Sequence, residues 1–235
     1  MWQFDTTFSD IIQRTPNVKS FRFPVSPAEA PFKAGQYFFV TLPVGGEPAL
    51  HHFTISSSPG DNYLEFTKKI TSHPYSLALD AARPGDPVSI KGPAGAFTLP
   101  PDGGRLVFLT GGIGITPVRS MLGDIAEDRT AKFEIEVICA NERLEDVVFH
   151  DELRAMSADL PGLRIHNVLS QPPQNWTGET GRIDKSLIMK LIPDYIDRRF
   201  FISGPPSMVI SIQEQLAALK IPLDHMVRDS FTGYD

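Results

Sequence analysis

The stretch LTGGIGITPVRSML, residues 109–122, carries the strongest chemical signal in the sequence. An apolar run ends at Thr110, and Gly111, Gly112 and Gly114 let the chain turn sharply. Thr116 and Pro117 then offer a cap and a first-turn proline for a helix. Amide hydrogens freed at such a helix start, with no Cβ in the way, cradle an anion at the carboxyl edge of a sheet. The spacing G-G-x-G-x-x-P is neither the G-x-G-x-x-G dinucleotide fingerprint nor an ATP-binding loop, which needs a following Gly-Lys-Ser/Thr. A purely structural turn is the competing reading. A second turn, FISGPPSM at 201–208, sets Ser203, Gly204 and Pro205 between an apolar run and another helix, with Met208 just beyond. Two such loops on one sheet flank a crevice with Ser203 at its floor. Turn chemistry for Ser203 and packing for Met208 are the alternatives there.

Two further segments could hold a ligand. HHFTISSSP, residues 51–59, gathers histidines, an aromatic and hydroxyls on one short strand. Alternation sends His51, Phe53 and Ile55 to one side and His52, Thr54 and Ser56 to the other. An exposed polar face would account for the second set without a ligand. In KKITSHPYSLAL, residues 68–79, a short helix beginning at Ser76 would present amides to an anion, with Lys68 or Lys69 adding charge. Ser76 reads as a plain N-cap, a ligand contact, or both. Gly92, Gly95 and Phe97 in GPAGAF read as turn and barrel-closing residues.

The elements that must position these residues fall into two halves. Over residues 1–100, short alternating or β-branched runs at 18–24, 36–42, 52–57, 63–69 and 87–91 are separated by Gly and Pro turns. One short helix is expected at 76–82. Such spacing predicts an antiparallel barrel or sandwich. Beyond PPDGG at 100–104, apolar runs at 105–110, 133–140 and 199–203 lack strict alternation, as strands buried on both faces do. Helical stretches at 117–127, 146–156, 184–191 and 206–219 separate or follow them, which predicts an open parallel α/β sheet. The domains are expected at 1–101 and 102–235.

Composition removes several functions. A net charge of −6 with no basic block argues against nucleic-acid binding. Cys139, the single cysteine, cannot build a disulfide framework or ligate an iron–sulfur cluster, and it reads as a small buried hydrophobe. The start has no signal segment and no apolar run approaches 18 residues, so a cytoplasmic chain without a membrane-spanning segment is expected.

Over residues 10–235 the chain resembles the ferredoxin–NADP reductase family, on HHFTISS, GPAGAF, GGIGITP and SGPPSM taken in order. The resemblance implies a flavin-binding antiparallel β-barrel followed by a nicotinamide nucleotide-binding α/β domain. It implies that Gly111, Gly112, Gly114, Thr116 and Pro117 face the nucleotide, and that Ser203-Gly204 stands where the family usually has Cys-Gly beside the nicotinamide. The family's Arg-x-Tyr-Ser/Thr flavin motif corresponds to His51, Phe53 and Thr54. That variant is similar to ferric reductases and NADPH oxidases. Ser76 keeps the hydroxyl of a Gly-x-x-Ser pattern whose glycine is here His73. The last strand implies an acidic residue and an aromatic near the flavin, matched by Asp229 and by Phe231 or Tyr234; a polar frayed tail competes.

The function these implications carry is an FAD-dependent oxidoreductase that takes a hydride from NADH or NADPH. The electrons would pass to a separate redox protein, iron(III) or a small quinone. Thr54, Ser203 and Asp229 are the candidate catalytic groups, Asp229 as a proton relay. Glu142 and Arg143, after the second parallel strand, are the expected readers of the adenosine ribose, assisted by Arg119; Glu142 inclines the reading to NADH. A flavin-binding electron-transfer subunit of a larger complex, and a non-catalytic binding module on the same fold, are the alternatives. The changes at 51, 53, 73 and 203 motivate the second.

Overall fold

The computed structural model describes residues 1–26, 28–127 and 132–231. The chain forms two compact units: Met1–Leu99 with Thr116–Glu127, and Pro100–Ile115 with Asp128–Asp235.

The first unit is antiparallel and barrel-like. Its strands are β1 (Trp2–Thr7), β2 (Asp10–Thr15), β3 (Val18–Phe23), β4 (Tyr37–Val44), β5 (Glu47–Thr54), β6 (Leu64–Lys69) and β7 (Pro87–Ala94), with helix α1 (Pro74–Ala81) between the last two. They form two sheets in the orders β1-β7-β4-β5 and β2-β3-β6. A single bridge from Ile55 to Phe66 joins β5 to β6. Phe21, Phe23, Phe38 and Phe66 fill the interior, with Phe21 stacked on Phe66 at 4.9 Å between ring centroids. Burying each such ring is worth roughly 1.5–3 kcal/mol.

Strand β5 starts at Glu47, ahead of the expected residue 52. Gly45 and Gly46, at φ +62° and +90°, make the tight hairpin turn that glycine permits, and pairing with β4 begins at once at Glu47. Pro48 is tolerated because β5 lies at the edge of its sheet.

The second unit holds β8 (Gly104–Gly111), β9 (Phe133–Asn141), β10 (Leu163–Leu169), the two-residue β11 (Glu179–Thr180), β12 (Arg199–Gly204) and β13 (Met226–Ser230). Helix α2 (Ile115–Glu127) follows β8. Helices α3 (His150–Asp159), α4 (Lys185–Leu191) and α5 (Pro206–Ala218) connect the later strands. The sheet order is β11-β10-β9-β8-β12-β13, and every neighbouring pair is parallel. Val107, Leu109, Ile138, Phe200 and Ile202 pack one face against Ile188, Val209, Ile212 and Leu216. Strand order reverses beside β8: the chain moves out through β9 and β10, then returns to β12 on the other side. A sheet of this kind opens a crevice where the order reverses, at the carboxyl ends of β8 and β12. Both glycine loops lie there. No helix among the described residues is long and apolar enough to cross a membrane.

Candidate functional site

In the first unit, His51, Phe53, Lys68, His73 and Tyr75 come together. The His51 ring centroid lies 4.2 Å from that of Tyr75, 5.6 Å from His73 and 6.5 Å from Phe53. Lys68 Nζ stands 5.9 Å from the Phe53 ring centroid. Register with β3 settles which lysine points inward: Lys68 is 6% exposed, while Lys69 is exposed. Burial lowers the Lys68 ammonium to about 8. Partial burial, then the nearby His73, Lys68 and His52, lowers His51. The aromatic rings of this cluster, beside the polar edges of His51 and His73, suit a ligand with a flat heterocycle and a diphosphate, which is the chemistry of FAD.

Several expected roles change at this cluster. Phe53 is 7% exposed and stacks on Phe66 at 4.5 Å, so it belongs to the barrel core. The Ile55 side chain is fully buried in that core and does not turn outward with His51, because its backbone bridges to Phe66. Helix α1 begins at Pro74, not Ser76, with His73 as its cap: Nδ1 accepts from the Tyr75 amide over 3.3 Å. Proline at the first helical position presets that start. Ser76 is then a buried first-turn residue whose Oγ accepts from the Thr71 amide at 2.8 Å. Thr54, nearly buried, ends β5 opposite Tyr37. Tyr75 escaped the sequence reading; its hydroxyl donates to the Val40 carbonyl at 2.9 Å.

In the glycine turn, Gly112–Gly114 form one turn of 3-10 helix that runs directly into α2 at Ile115. The Ile115 amide donates back to the carbonyls of Gly112 and Ile113. Thr116 is therefore inside the helix rather than its cap, and Pro117 is the third helical residue, still within the turn whose amides need no partner. The three glycines act differently. Gly112 has φ +51° and open space where a Cβ would point. A Cβ on Gly114 would collide with the Ser203 carbonyl, and one on Gly111 with Met208 Sδ. Gly112 thus leaves its surroundings clear for a ligand, while Gly111 and Gly114 permit close backbone packing.

Ser203 is fully buried, and its hydroxyl donates to the Gly114 carbonyl at 2.7 Å. This bond commits the hydroxyl's one hydrogen to the turn after β8. Gly204, at φ +147°, accepts at its carbonyl from the Phe231 amide over 2.9 Å. Pro205 caps α5. In register across β9, β8, β12 and β13 lie Cys139, Thr110, Ser203 and Asp229. Burial pushes Asp229 up to about 6. It also raises the Cys139 thiol to about 11, against a weaker opposing hydrogen bond with Thr110, so that cysteine is packing. Tyr234 lies outside the described residues.

A cavity of about 320 Å³ opens beside the glycine loops, where β9 and β10 end and α5 begins. Asn141, Ser170, Arg182, Ser207, Met208 and Ser211 contribute to its lining. Glu142 and Arg143 do not: both are exposed, and Arg143 is engaged by Gln171 at 3.4 Å and Glu145 at 3.6 Å. Arg119 is held within the first unit. It is 5% exposed, and its Nη1 donates to the Ser56 carbonyl and to Asp61, each at 2.8 Å. Arg182 was not singled out in the sequence, although GETGRI at 178–183 carries the turn signals of a loop at a strand end.

Residues 6–99 match the family model of an oxidoreductase FAD-binding domain, and residues 108–214 that of an oxidoreductase NAD-binding domain. The chain is similar to the glycine betaine monooxygenase reductase subunit of Chromohalobacter salexigens, 27% identical across 94% of this chain and 62% of that protein. It is similar to NADH-cytochrome b5 reductase 1 of Pyricularia oryzae, 34% identical across 57% of this chain and 45% of that protein. The chain therefore spans less than two thirds of the length of these relatives. It shares its fold with the cytochrome b5 reductase domain of Ulva prolifera nitrate reductase, at a TM-score of 0.85 and 21% identity over 97% of each chain.

Proposed function

Because the chain belongs to the ferredoxin reductase-like family, an FAD-binding domain joined to an NAD-binding domain, we propose that it oxidises a reduced nicotinamide nucleotide and passes the electrons to a separate acceptor. The observation that carries this reading is the pair of glycine loops at the point where the parallel sheet reverses its strand order. FAD, held by the domain over 1–101, supplies an acceptor for the hydride and a relay to an external oxidant. The residues of this chain do the positioning. Gly112 gives a diphosphate close access to amide hydrogens, Ser203 fixes that turn, and His51 and His73 offer hydrogen-bonding contacts to the flavin diphosphate. Asp229, with its raised pKa, is suited to exchange a proton near neutral pH.

The nucleotide we favour is NADPH. Among the described residues lining the cavity of about 320 Å³, Arg182 is the one cationic side chain, three serines join it, and no carboxylate does. Such a donor set suits a 2′-phosphate better than a bare ribose diol. This reverses the inclination to NADH drawn from Glu142, which lies outside that lining. The acceptor we favour is a redox protein, because a relative is named a reductase subunit.

Anaerobic mixing with NADPH is the direct test. The protein should be purified yellow or take up FAD, and NADPH should bleach the flavin absorbance within seconds. No bleaching with either nucleotide removes the reductase reading. Bleaching by nucleotide, with turnover of dyes absent until a redox partner is added, identifies the electron-transfer subunit form of it.

A further inference from the structure

We propose that the open edge of β10 and the cavity beside it receive an extended acidic segment of a partner protein, with one glutamate side chain of that segment meeting Arg154. Along a strand, the main-chain groups of alternate residues face opposite neighbours. The Ile135 amide donates to the Gly162 carbonyl and the Ser170 amide to the Asn141 carbonyl. Arg164, His166 and Val168 therefore direct their main-chain groups to β9, and Leu163, Ile165, Asn167 and Leu169 direct theirs outward. The Leu163 carbonyl accepts from the Ser157 hydroxyl at 3.1 Å, and the Leu169 carbonyl from the Gly181 amide at 2.9 Å. Strand β11 pairs at Val168 and Leu169 and reaches no further back. Among the described residues, the outward N–H and C=O of Ile165 take no partner.

A cavity of about 360 Å³ lies on the face of β10 that carries the Ile165 and Asn167 side chains, against α3 and within the second unit. On α3, His150, Leu153, Arg154 and Ser157 contribute to its lining, and steps of three and four residues place them on one side of the helix. A helix that packs on a sheet ordinarily turns an apolar stripe to it. Here Arg154 and His150 interrupt that stripe, and no carboxylate joins the lining. Arg154 is exposed, and no described carboxylate pairs with it. His150 meets Asp151 through Nδ1 at 3.2 Å. Arg164 follows the opposite face of β10 to buried Glu136, so Arg154 is the cation on the cavity side.

The edge and the cavity fit one occupant. An antiparallel segment that exchanges both main-chain bonds with Ile165 sets one of its residues directly opposite, with that side chain on the Ile165 face. That face is the cavity. Val147 and Leu153 suit the methylenes of an entering side chain and Arg154 its terminal charge, which makes glutamate complementary. Main-chain pairing gives affinity for an extended chain, and the cavity gives selection among side chains. Ile183, Met208 and Ile212 put the nucleotide cavity on the other face of the sheet, against α4 and α5. The docking site and the reductase reading therefore stand or fall separately.

An array of capped peptides about five residues long, with the central residue varied and the flanks randomised, tests the site on the full chain. Wild type should retain central glutamate about tenfold over glutamine, the size of one charge-assisted hydrogen bond. Arg154→Glu should turn the preference to lysine, with an unchanged thermal melt and unchanged flavin bleaching by NADPH. Arg154→Gln replaces it if that variant does not fold, and should lose the glutamate preference. The glutamate peptides should also slow hydrogen exchange at the Ile165 amide about tenfold. Retention of no peptide overturns the proposal, as does a glutamate preference that survives at Arg154→Glu or Arg154→Gln. Peptide binding without protection of the Ile165 amide also overturns it, since the peptide then lies elsewhere. Free glutarate that binds as tightly as the peptides would make this a small-carboxylate site instead. A dimer in sedimentation equilibrium that protects the Ile165 amide without peptide would assign the edge to a second copy, and either result overturns the proposal.

Discussion

The Ser203 hydroxyl and the Gly114 carbonyl are joined across 2.7 Å, tying the end of β12 to the turn that follows β8. The bond explains why serine serves at this position whether or not it touches a ligand. Ser203→Ala leaves a buried carbonyl short of a donor and should cost about 1–3 kcal/mol in urea unfolding, with weaker nucleotide binding. Glycine substitutions in the same turn should separate by direction. Gly114→Ala drives a Cβ into the Ser203 backbone and should prevent stable folding. Gly112→Ala meets open space and carries only the strain of φ +51°, roughly 1 kcal/mol, so it should fold. Equal melting temperatures for the two variants would contradict this division of roles.

Arg182 and Arg143 offer a second contrast. Removing Arg182 should weaken NADPH binding about tenfold, the size of one charge-assisted hydrogen bond, and leave NADH unchanged. Arg143→Ala should affect neither nucleotide, since that side chain is engaged at the surface by Glu145 and Gln171. Kd values from flavin absorbance titrations with both nucleotides decide the matter. A selective NADPH loss in Arg143→Ala, with none in Arg182→Ala, would return specificity to the loop after β9.

Fold class was legible in the sequence because buried strands announce themselves. β8 and β12 are unbroken apolar runs ending in glycine turns, and the helices after them were found within a few residues. The strands not read were polar ones. β1, β2 and β13 are edge strands, where one flank meets no partner and charged residues are favoured. β10 was hidden by Arg164 and His166, which look solvent-facing but both bond to buried Glu136 on β9. Site residues were legible where a motif reports backbone geometry, as in the glycine loops. They were less so where the partner is distant in sequence. Arg119 looked free for a phosphate, yet Asp61, 58 residues earlier, pairs with it. Alternation gave Phe53 a side of the strand but could not show that Phe66 stacks on it there.

Asp229 should make stability depend on pH in an unusual direction. Its folded pKa of about 6 lies above the ordinary carboxylate value of about 3.9. The folded state therefore binds this proton more tightly than the unfolded chain does. The resulting stability is complete below about pH 4 and is lost as pH rises through about 6. Asp229→Asn should abolish this contribution to the pH slope. It should also be more stable than wild type above pH 7, by about 1–2 kcal/mol after allowance for partial solvent screening. Urea melts at pH 5 and pH 8 are sufficient, and a variant no more stable than wild type at pH 8 would show that the carboxylate is satisfied where it stands.

Phe53 and Thr54 are adjacent on β5, and their substitution should give opposite signatures. Phe53 stacks on Phe66 at 4.5 Å inside the barrel, so Phe53→Ala opens a core cavity and should cost about 3–5 kcal/mol. That loss should appear in the protein without flavin, because it arises from packing. Thr54 ends the strand at the margin of the core, and Thr54→Ala deletes a hydroxyl and one methyl group. It should lower stability by no more than about 1–1.5 kcal/mol while weakening FAD binding or slowing flavin reduction. Urea unfolding of the flavin-free protein, set beside FAD titration by fluorescence quenching and anaerobic reduction kinetics, separates the two. Unaltered FAD affinity and unaltered reduction rate in Thr54→Ala would remove Thr54 from the flavin site. A Phe53→Ala protein of normal stability that fails only to bind FAD would instead return Phe53 to the role of ring platform.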